Sequence, residues 1–395
     1  MQKMCGPLIF VILAVLAHSS HDAHESISPS TIPVGIERVS DRVVVAECAI
    51  GTNVTAIAAS RGVVIVDTHL SPGLMQAIKA ELEDELGRND FVYVVNTHGH
   101  WDHCSGNQVF PEATIVGHAN TPVFMQYHRA NPPGWTWRQE MLLSRDREKL
   151  AAAEDPEEAQ RIRGRITARE LLISDLGDQY TLTPPTVTFS ERHELELGDL
   201  TLQLIYCGEA HSITDIFVYI PEERVVMTGD VFSSKSSFAL AINPMNDIPK
   251  LLEAIDWVLD RGVDVVVPGH GDTMTGEDLR GLRGRLAIQY ADVANTRSAA
   301  RFLKKMLDEQ ETGEALRSFR EFASDSSAVG YLSEEEFYLL GSRMVDRGRV
   351  EEANAVFRLS RELFPESSLI GNGLARSYLI AGDTTSPITE YERAY

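Results

Sequence analysis

The stretch "VVNTHGHWDHCSGN", Val94 to Asn107, places three histidines and an aspartate within six residues, directly after an apolar run. In an extended segment side chains two residues apart leave on the same side, so His98, His100 and Asp102 face together, and Gly99 allows a tight backbone between them. On a helix the same residues would scatter, because neighbours there stand three and four apart. The segment therefore reads as a loop, with His103 projecting from the turn that follows. With 12 histidines in 395 residues, such a string rarely arises by chance. Imidazole and carboxylate at this density are donors for a borderline divalent cation.

Other ligand-type residues recur in one kind of place. Asp67 ends the run "VVIVD", His98 follows "FVYVV", His211 follows "LQLIYCGEA", Asp230 follows "RVVMTG" and His270 follows "VDVVVPG". Each lies at or just beyond the end of an apolar β-type run, where loops at one edge of a sheet converge. Five imidazoles and two carboxylates suit two cations better than one, since zinc takes four ligands and catalytic zinc leaves a position for water.

The residues His98, His100, Asp102 and His103, with "GEAHSITD" around His211, "MTGD" around Asp230 and "VPGHG" around His270, resemble the metallo-β-lactamase superfamily in its glyoxalase II-like form, over about 34–300. The resemblance implies an α/β fold, a four-layer αββα sandwich with the metals at one edge. It implies His98, His100 and His211 on one metal, Asp102, His103 and His270 on the other, and Asp230 bridging. Asp67 would hold a ligating imidazole in orientation. Two Zn2+ per chain follow, with iron or manganese as alternatives. In the implied chemistry a water between the cations becomes a hydroxide nucleophile, Asp102 helps to orient it, and Asp102 and Asp230 are the catalytic carboxylates. The stretch around Asp230 is also similar to the zinc β-lactamases that use a cysteine ligand, but Asp230 stands where they have that cysteine, and His103 where they lack a metal-binding histidine. Other zinc β-lactamases do use a histidine there.

Strand-type runs at 42–50, 52–60 and 62–68 read as consecutive antiparallel strands, followed by a helix over 72–86 ended by Gly87 and a strand at 91–95. The second half repeats the mixture, with runs at 200–206, 213–220, 224–227 and 263–267 and a helix over 247–260. Between the halves, a helical insertion at about 131–180 carries both charge signs, and its stretch from Arg138 to Leu176 reads as solvated helix. Beyond a helical linker at 301–330, residues 331–395 fit a tetratricopeptide-like pattern. Shifting by 34 residues pairs Leu340 with Leu374, Met344 with Tyr378, Gly348 with Gly382 and Phe357 with Tyr391. So short a tail must pack on the main domain, on a second copy in a homodimer, or on a protein partner. Every expected ligand precedes Asp272, so removal of 330–395 is expected to leave the metals in place.

Acidic side chains outnumber basic ones 58 to 36, a formal charge of -22. That balance repels phosphate backbones, and nucleic acid is not an expected partner. Residues 1–17 contain the apolar run "CGPLIFVILAVLA", of signal-peptide length, with Val15 and Ala17 suited to the peptidase sites; 18–33 would follow as a flexible segment. A buried N-terminal helix is the alternative. The signal reading implies a periplasmic or secreted protein with no integral membrane span after processing. It favours a small-molecule substrate met outside the cytoplasm, such as a β-lactam, lactone or other ester. An odd number of cysteines, Cys48, Cys104 and Cys207, would then remain, so no disulfide framework carries the fold.

Trp135 and Trp137, on the Pro/Gly loop "NPPGWTWRQE", would form an apolar lip over the metals or simply pin the insertion. Lys235 is a candidate for binding a substrate carboxylate. Cys104, though beside the cluster, reads as a packing residue, and His69, His118, His128 and His193 as surface or core residues. Two further function classes stay open: an iron-dependent redox enzyme of the same fold, and a repeat-mediated binding protein with a secondary metal site.

Overall fold

The computed structural model describes residues 32–127, 135–175, 180–232, 248–294, 298–324 and 332–383. Residues 1–17 and nearly all of 18–33 lie outside these, as do His128, Lys235 and Tyr391.

The first sheet has seven strands in sequence order: β1 (Val34–Arg38), β2 (Val43–Cys48), β3 (Val54–Ala59), β4 (Gly62–Val66), β5 (Phe91–Val95), β6 (Thr114–His118) and β7 (Val187–Phe189). β1 to β4 are antiparallel, as the closely spaced apolar runs imply, and β4 to β7 run parallel. The second sheet contains β8 (Arg192–Glu196), β9 (Thr201–Tyr206), β10 (Ile216–Ile220), β11 (Val225–Gly229), β12 (Val265–Pro268) and β13 (Met274–Thr275), in the order β13-β12-β11-β10-β9-β8.

Alternation makes the sandwich. Val43, Val45, Ile57, Val64 and Val66 of the first sheet meet Leu202, Leu204, Ile216, Val218 and Met227 of the second in one dry core. Their strand neighbours Val44, Ala56, Val63 and Ile65 face outward, onto Met75, Ile78 and Leu82 of helix α1 (Pro72–Leu86). On the far side Phe217, Tyr219 and Val226 pack on α6 (Ile248–Asp260) and α7 (Gly276–Ala294) through Leu251, Ile255, Leu279 and Leu286. At about 25 cal/mol per Å2 of apolar surface, faces buried on both sides of both sheets supply the main driving force for folding. α1 begins at the Ser71 cap, whose hydroxyl accepts from Leu74 N, and ends at Gly87 in the left-handed conformation, φ 63°.

Between β5 and β7 run the helices α2 (Trp101–Cys104), α3 (Thr121–Tyr127), α4 (Trp135–Ala152) and α5 (Pro156–Asp175). Two expectations change here. The segment after His100 is a one-turn helix, not a loop, closed by bonds from Ser105 Oγ to Trp101 O (2.5 Å) and from Cys104 Sγ to His98 O (3.0 Å). And α5 is not simply solvated. Ala168, Leu171 and Leu172 pack on Leu74 and Ala77 of α1, and Asp175 accepts from Gly73 N at 2.7 Å. The mixed charges conceal this face; they pair between α4 and α5 (Arg147–Glu170, Arg165–Asp146).

The C-terminal region is helical: α8 (Ala299–Glu309), α9 (Thr312–Ser324), α10 (Glu334–Asp346), α11 (Val350–Leu363) and α12 (Ser368–Ile380). These five share one core, including Leu303, Phe319, Phe337, Leu340, Phe357 and Leu374. Among the described residues no helix is long and apolar enough to cross a membrane.

Candidate metal centre

The ligand-type residues emerge from loops at one edge of both sheets. Asp67 follows β4; His98, His100, Asp102 and His103 follow β5; His211 follows β9; Asp230 follows β11; His270 follows β12. β4 and β5 are parallel, and β9 shares the direction of β11 and β12 because each is antiparallel or parallel to the right neighbour. Their C-terminal ends therefore meet at one seam.

Three groups of donor atoms converge there, each within 4.8 Å: His98, His100 and His211; His98, His103 and Asp230; Asp102, His103 and His270. Asp230 lies between the outer groups. Its Oδ2 is 4.0 Å from His98 Nε2, 3.6 Å from His211 Nε2 and 3.4 Å from His270 Nε2, and its Oδ1 is 3.3 Å from His103 Nε2. Asp102 Oδ2 is 3.3 Å from His270 Nε2 and 3.8 Å from His103 Nε2. The approach of Asp230 is possible only because residue 269 is glycine: a Cβ there would stand 2.2 Å from Asp230 Oδ1.

The groups behind the cluster fix its geometry. Asp67, buried and at φ 60°, takes Thr97 N on Oδ1 (2.8 Å), and Thr97 Oγ1 (2.7 Å) and His103 Nδ1 (2.8 Å) on Oδ2. With Nδ1 so engaged, His103 presents Nε2 to the cluster. Thr97 Oγ1 also lies 3.2 Å from His98 Nδ1. His270 Nδ1 is held by Gly51 O at 3.0 Å. The backbone of His211 is tied by Asp215, whose Oδ2 accepts from His211 N (2.6 Å) and Ser212 N (2.7 Å).

The charge balance is that of a cation site. Burial alone would push the His103 imidazole down, but the carboxylates of Asp230, Asp67 and Asp102 outweigh it and hold it well above its ordinary value. His270 is likewise raised to about 10 against burial, by Asp102 and Asp230. Burial would raise Asp230, yet His103 and His270 hold it well below the carboxylate range. His98, with less carboxylate around it, is pushed down by burial and by His103. The acids thus call for positive charge at this spot. His98 Nε2, His103 Nε2 and Asp230 Oδ1 are buried and make no hydrogen bond within the protein, though His103 Nε2 stands 3.3 Å from Asp230 Oδ1. Buried polar atoms left so are costly unless a ligand takes them, and nitrogen and oxygen ligands of this kind suit a divalent metal.

Several contributors have no signature in the sequence. Asn96 and Asn107 exchange amide hydrogen bonds beneath the cluster (3.0 and 2.8 Å), and Thr68 N donates to His103 O at 2.8 Å. His69, read from sequence as a surface or core residue, is completely buried at φ 63°, against the backbone of Ile50 and Gly51 on the His270 side. Burial lowers its imidazole to about 3, so it stays neutral. A left-handed non-glycine residue is uncommon and is the one local signal of a constrained site, but it shows only in the structure. Cys104 is buried; its thiol is pushed well up by burial and by Asp67 and Asp102, which disfavours a thiolate nucleophile. Trp135 and Trp137 belong to the first turn of α4, not to a loop; their side chains lie outside the described residues.

The family model of the metallo-beta-lactamase superfamily matches residues 49–270, more than half of the chain. The chain belongs to that superfamily. A metallo-beta-lactamase type 2 of Bacillus cereus is 22% identical over 226 residues, 57% of this chain and 68% of the relative. Among solved structures, a metallo-beta-lactamase from Pontibacter korlensis has a TM-score of 0.44 at 17% identity, over 65% of this chain and 99% of that one. The FIM-1 metallo-beta-lactamase from Pseudomonas aeruginosa, in its mono-zinc form, has a TM-score of 0.45 at 16% identity, over 66% of this chain and 98% of that one.

Proposed function

We propose that this protein is an exported dinuclear zinc hydrolase that cleaves an ester, lactone or amide-type bond of a small molecule. The observation that carries the reading is the position of Asp230, one carboxylate within 4.0 Å of ring nitrogens from both outer donor groups. In this reading His98, His100 and His211 would hold one ion and Asp102, His103 and His270 the other, with Asp230 within reach of both groups. Bound there, the ions would supply an activated water at neutral pH and polarise the bond to be cleaved. Asp102, beside His270 and 21% exposed at its side chain, would accept a hydrogen bond from that water and fix its direction. Asp67 keeps His103 in the tautomer that presents Nε2. No serine or cysteine nucleophile takes part, in keeping with the raised Cys104 thiol. Trp135, Trp137 and Lys235 are proposed substrate contacts.

Export rests on the apolar segment within 1–17. We further propose that 34–300 is the catalytic domain and that α10 to α12 form a tetratricopeptide-like repeat. Gly348 and Gly382, 34 residues apart, both close a helix with positive φ, 72° and 85°, and Leu340 and Leu374 occupy the same core.

The test is metal analysis of protein purified without added metal, followed by a hydrolysis screen of the zinc-loaded protein against β-lactams, lactones, thioesters, phosphodiesters and sulfate esters. About two zinc equivalents and turnover abolished reversibly by chelation are expected. Stoichiometric iron with oxygen consumption would overturn the reading.

A further inference from the structure

The two sides of the loop that carries His211 are held by different parts of the chain. After His211 the loop is closed by Asp215, which takes the amides of His211 and Ser212 and the Ser212 hydroxyl (2.6 Å), and it is tied to the His98–His100 loop, where Thr214 Oγ1 accepts from Gly99 N at 3.0 Å and His211 Nε2 lies 3.0 Å from His100 Nδ1. Before His211 the Ala210 amide bonds within the loop to Gly208 O (3.1 Å), while the side-chain contacts to Glu209 and Ala210 O come from α10 and its C-terminal cap residue. Arg343 Nη2 donates to Ala210 O at 3.3 Å, and the Arg347 guanidinium pairs with the Glu209 carboxylate. Arg343 is largely buried, its side chain 13% exposed. The same helix packs on α3, where the Phe124 ring meets the His100 ring edge-on at 5.2 Å and would collide with any Cβ at residue 99. One C-terminal helix thus backs two of the three histidines in the His98, His100 and His211 group. The residues found behind the Asp102, His103 and His270 group, Asp67, Gly51, Asn96 and Asn107, all come from the first sheet and its loops.

We propose that Arg343 and Arg347 are positioning residues of the metal centre, which make the three-histidine site, and not the other, dependent on the C-terminal helical region. The part-buried Arg343 contact to a loop carbonyl and the exposed Arg347–Glu209 pair beside it restrict where His211 stands before any ion arrives, and groups that orient ligands are worth about 10-fold to 100-fold in metal affinity. The inference deepens the dinuclear reading and rests on it. It also reverses the expectation that the segment beyond 330 is indifferent to the metals.

The test uses the full chain, with Zn2+ and spectroscopically visible Co2+ as probes. Arg343→Ala with Arg347→Ala should weaken one of two metal equivalents about 10-fold and leave the other unchanged. In metal-free protein the amides of Ala210, His211 and Ser212 should exchange faster, while those of Thr97 and His103 should not. Because truncation of a helix can loosen its whole core, a charge exchange supplies the control. Arg347→Glu should weaken the same equivalent, and Glu209→Arg in that background should restore it. Two equivalents at wild-type affinity in the double alanine variant, or equal loss of both, overturns the inference. Wild-type protein that binds no metal overturns the dinuclear reading, and the inference as a statement about metals falls with it; the exchange rates then show separately whether the arginines hold the loop.

Discussion

The two halves of the donor cluster are built to different plans. His103 is anchored by a buried carboxylate, at 2.8 Å from Asp67, inside the first sheet's own hydrogen bonding. His211 stands on a loop tied locally by Asp215, to the first sheet's loop through Gly99, and to Arg343, 133 residues along the chain. A carboxylate on an imidazole fixes tautomer, orientation and basicity together. Backbone ties fix position alone. The first half is thereby preorganised by the strands that form the sandwich, and the second is open to adjustment by elements outside it.

The largest effect should come from Asp230, whose carboxylate lies within 4.0 Å of ring nitrogens in both halves. Asp230→Ala removes a negative charge that four imidazoles face, so both metal equivalents should be lost or weakened and turnover should fall by orders of magnitude, read as kinetics normalised to metal content. Full retention of both equivalents would mean that Asp230 bridges nothing. Asp67→Asn should act unevenly. The equivalent on the His103 side should weaken roughly 10-fold to 100-fold, and the other less, because Asp67 reaches His98 only through Thr97. Equal losses in a Co2+ titration would erase the distinction between the halves.

Cys104→Ser should matter far less. A serine hydroxyl can replace the thiol as donor to His98 O, so metal content should hold and stability should change by about 1 kcal/mol or less in chemical denaturation. An inactive variant with both metals bound would place a thiol in the chemistry.

The smallest effect lies at the opposite edge of the sandwich. Ser60 N and then Arg42 hold the exposed Asp199 carboxyl down to about 2, below its ordinary 3.8. A depressed carboxyl stabilises the fold above the ordinary value and loses that contribution as pH falls through about 2. Asp199→Asn should therefore lower Tm slightly at neutral pH, with the difference from wild type closing in strong acid. A difference that grew on acidification would contradict the sign.

Much of the architecture was legible because unbroken apolar runs such as "VVIV" need two covered faces, and because each ligand-type residue follows such a run. The helix over 72–86 could be read to the residue, since Ser71 and Gly87 are both capping residues. The cover of α5 on α1 could not. Leu171 and Leu172 are too few among so many charges for periodicity to show the face. His69 was passed over because its meaning lies in a backbone dihedral. Arg343 and Arg347 were invisible for another reason: an arginine on an amphipathic helix looks the same whether it meets water or a loop carbonyl from a distant segment. The one-turn helix after His100 has no sequence period at all.

The seam at the cluster is stitched by buried bonds between the sheets: Asn53 N to Gly269 O (2.8 Å), Asn53 Nδ2 to Pro268 O (2.9 Å), Ile216 N to Thr97 O (2.8 Å). The opposite edge, where the turn after β3 meets the turn after β8, is joined by exposed partners such as Ser60, Arg42 and Asp199. Water competes for the exposed set and not for the buried one, so local opening should start at the far edge before it reaches the cluster. The sandwich behaves like a book bound along its spine: its pages can part at the margin while the binding, where the histidines are gathered, stays shut.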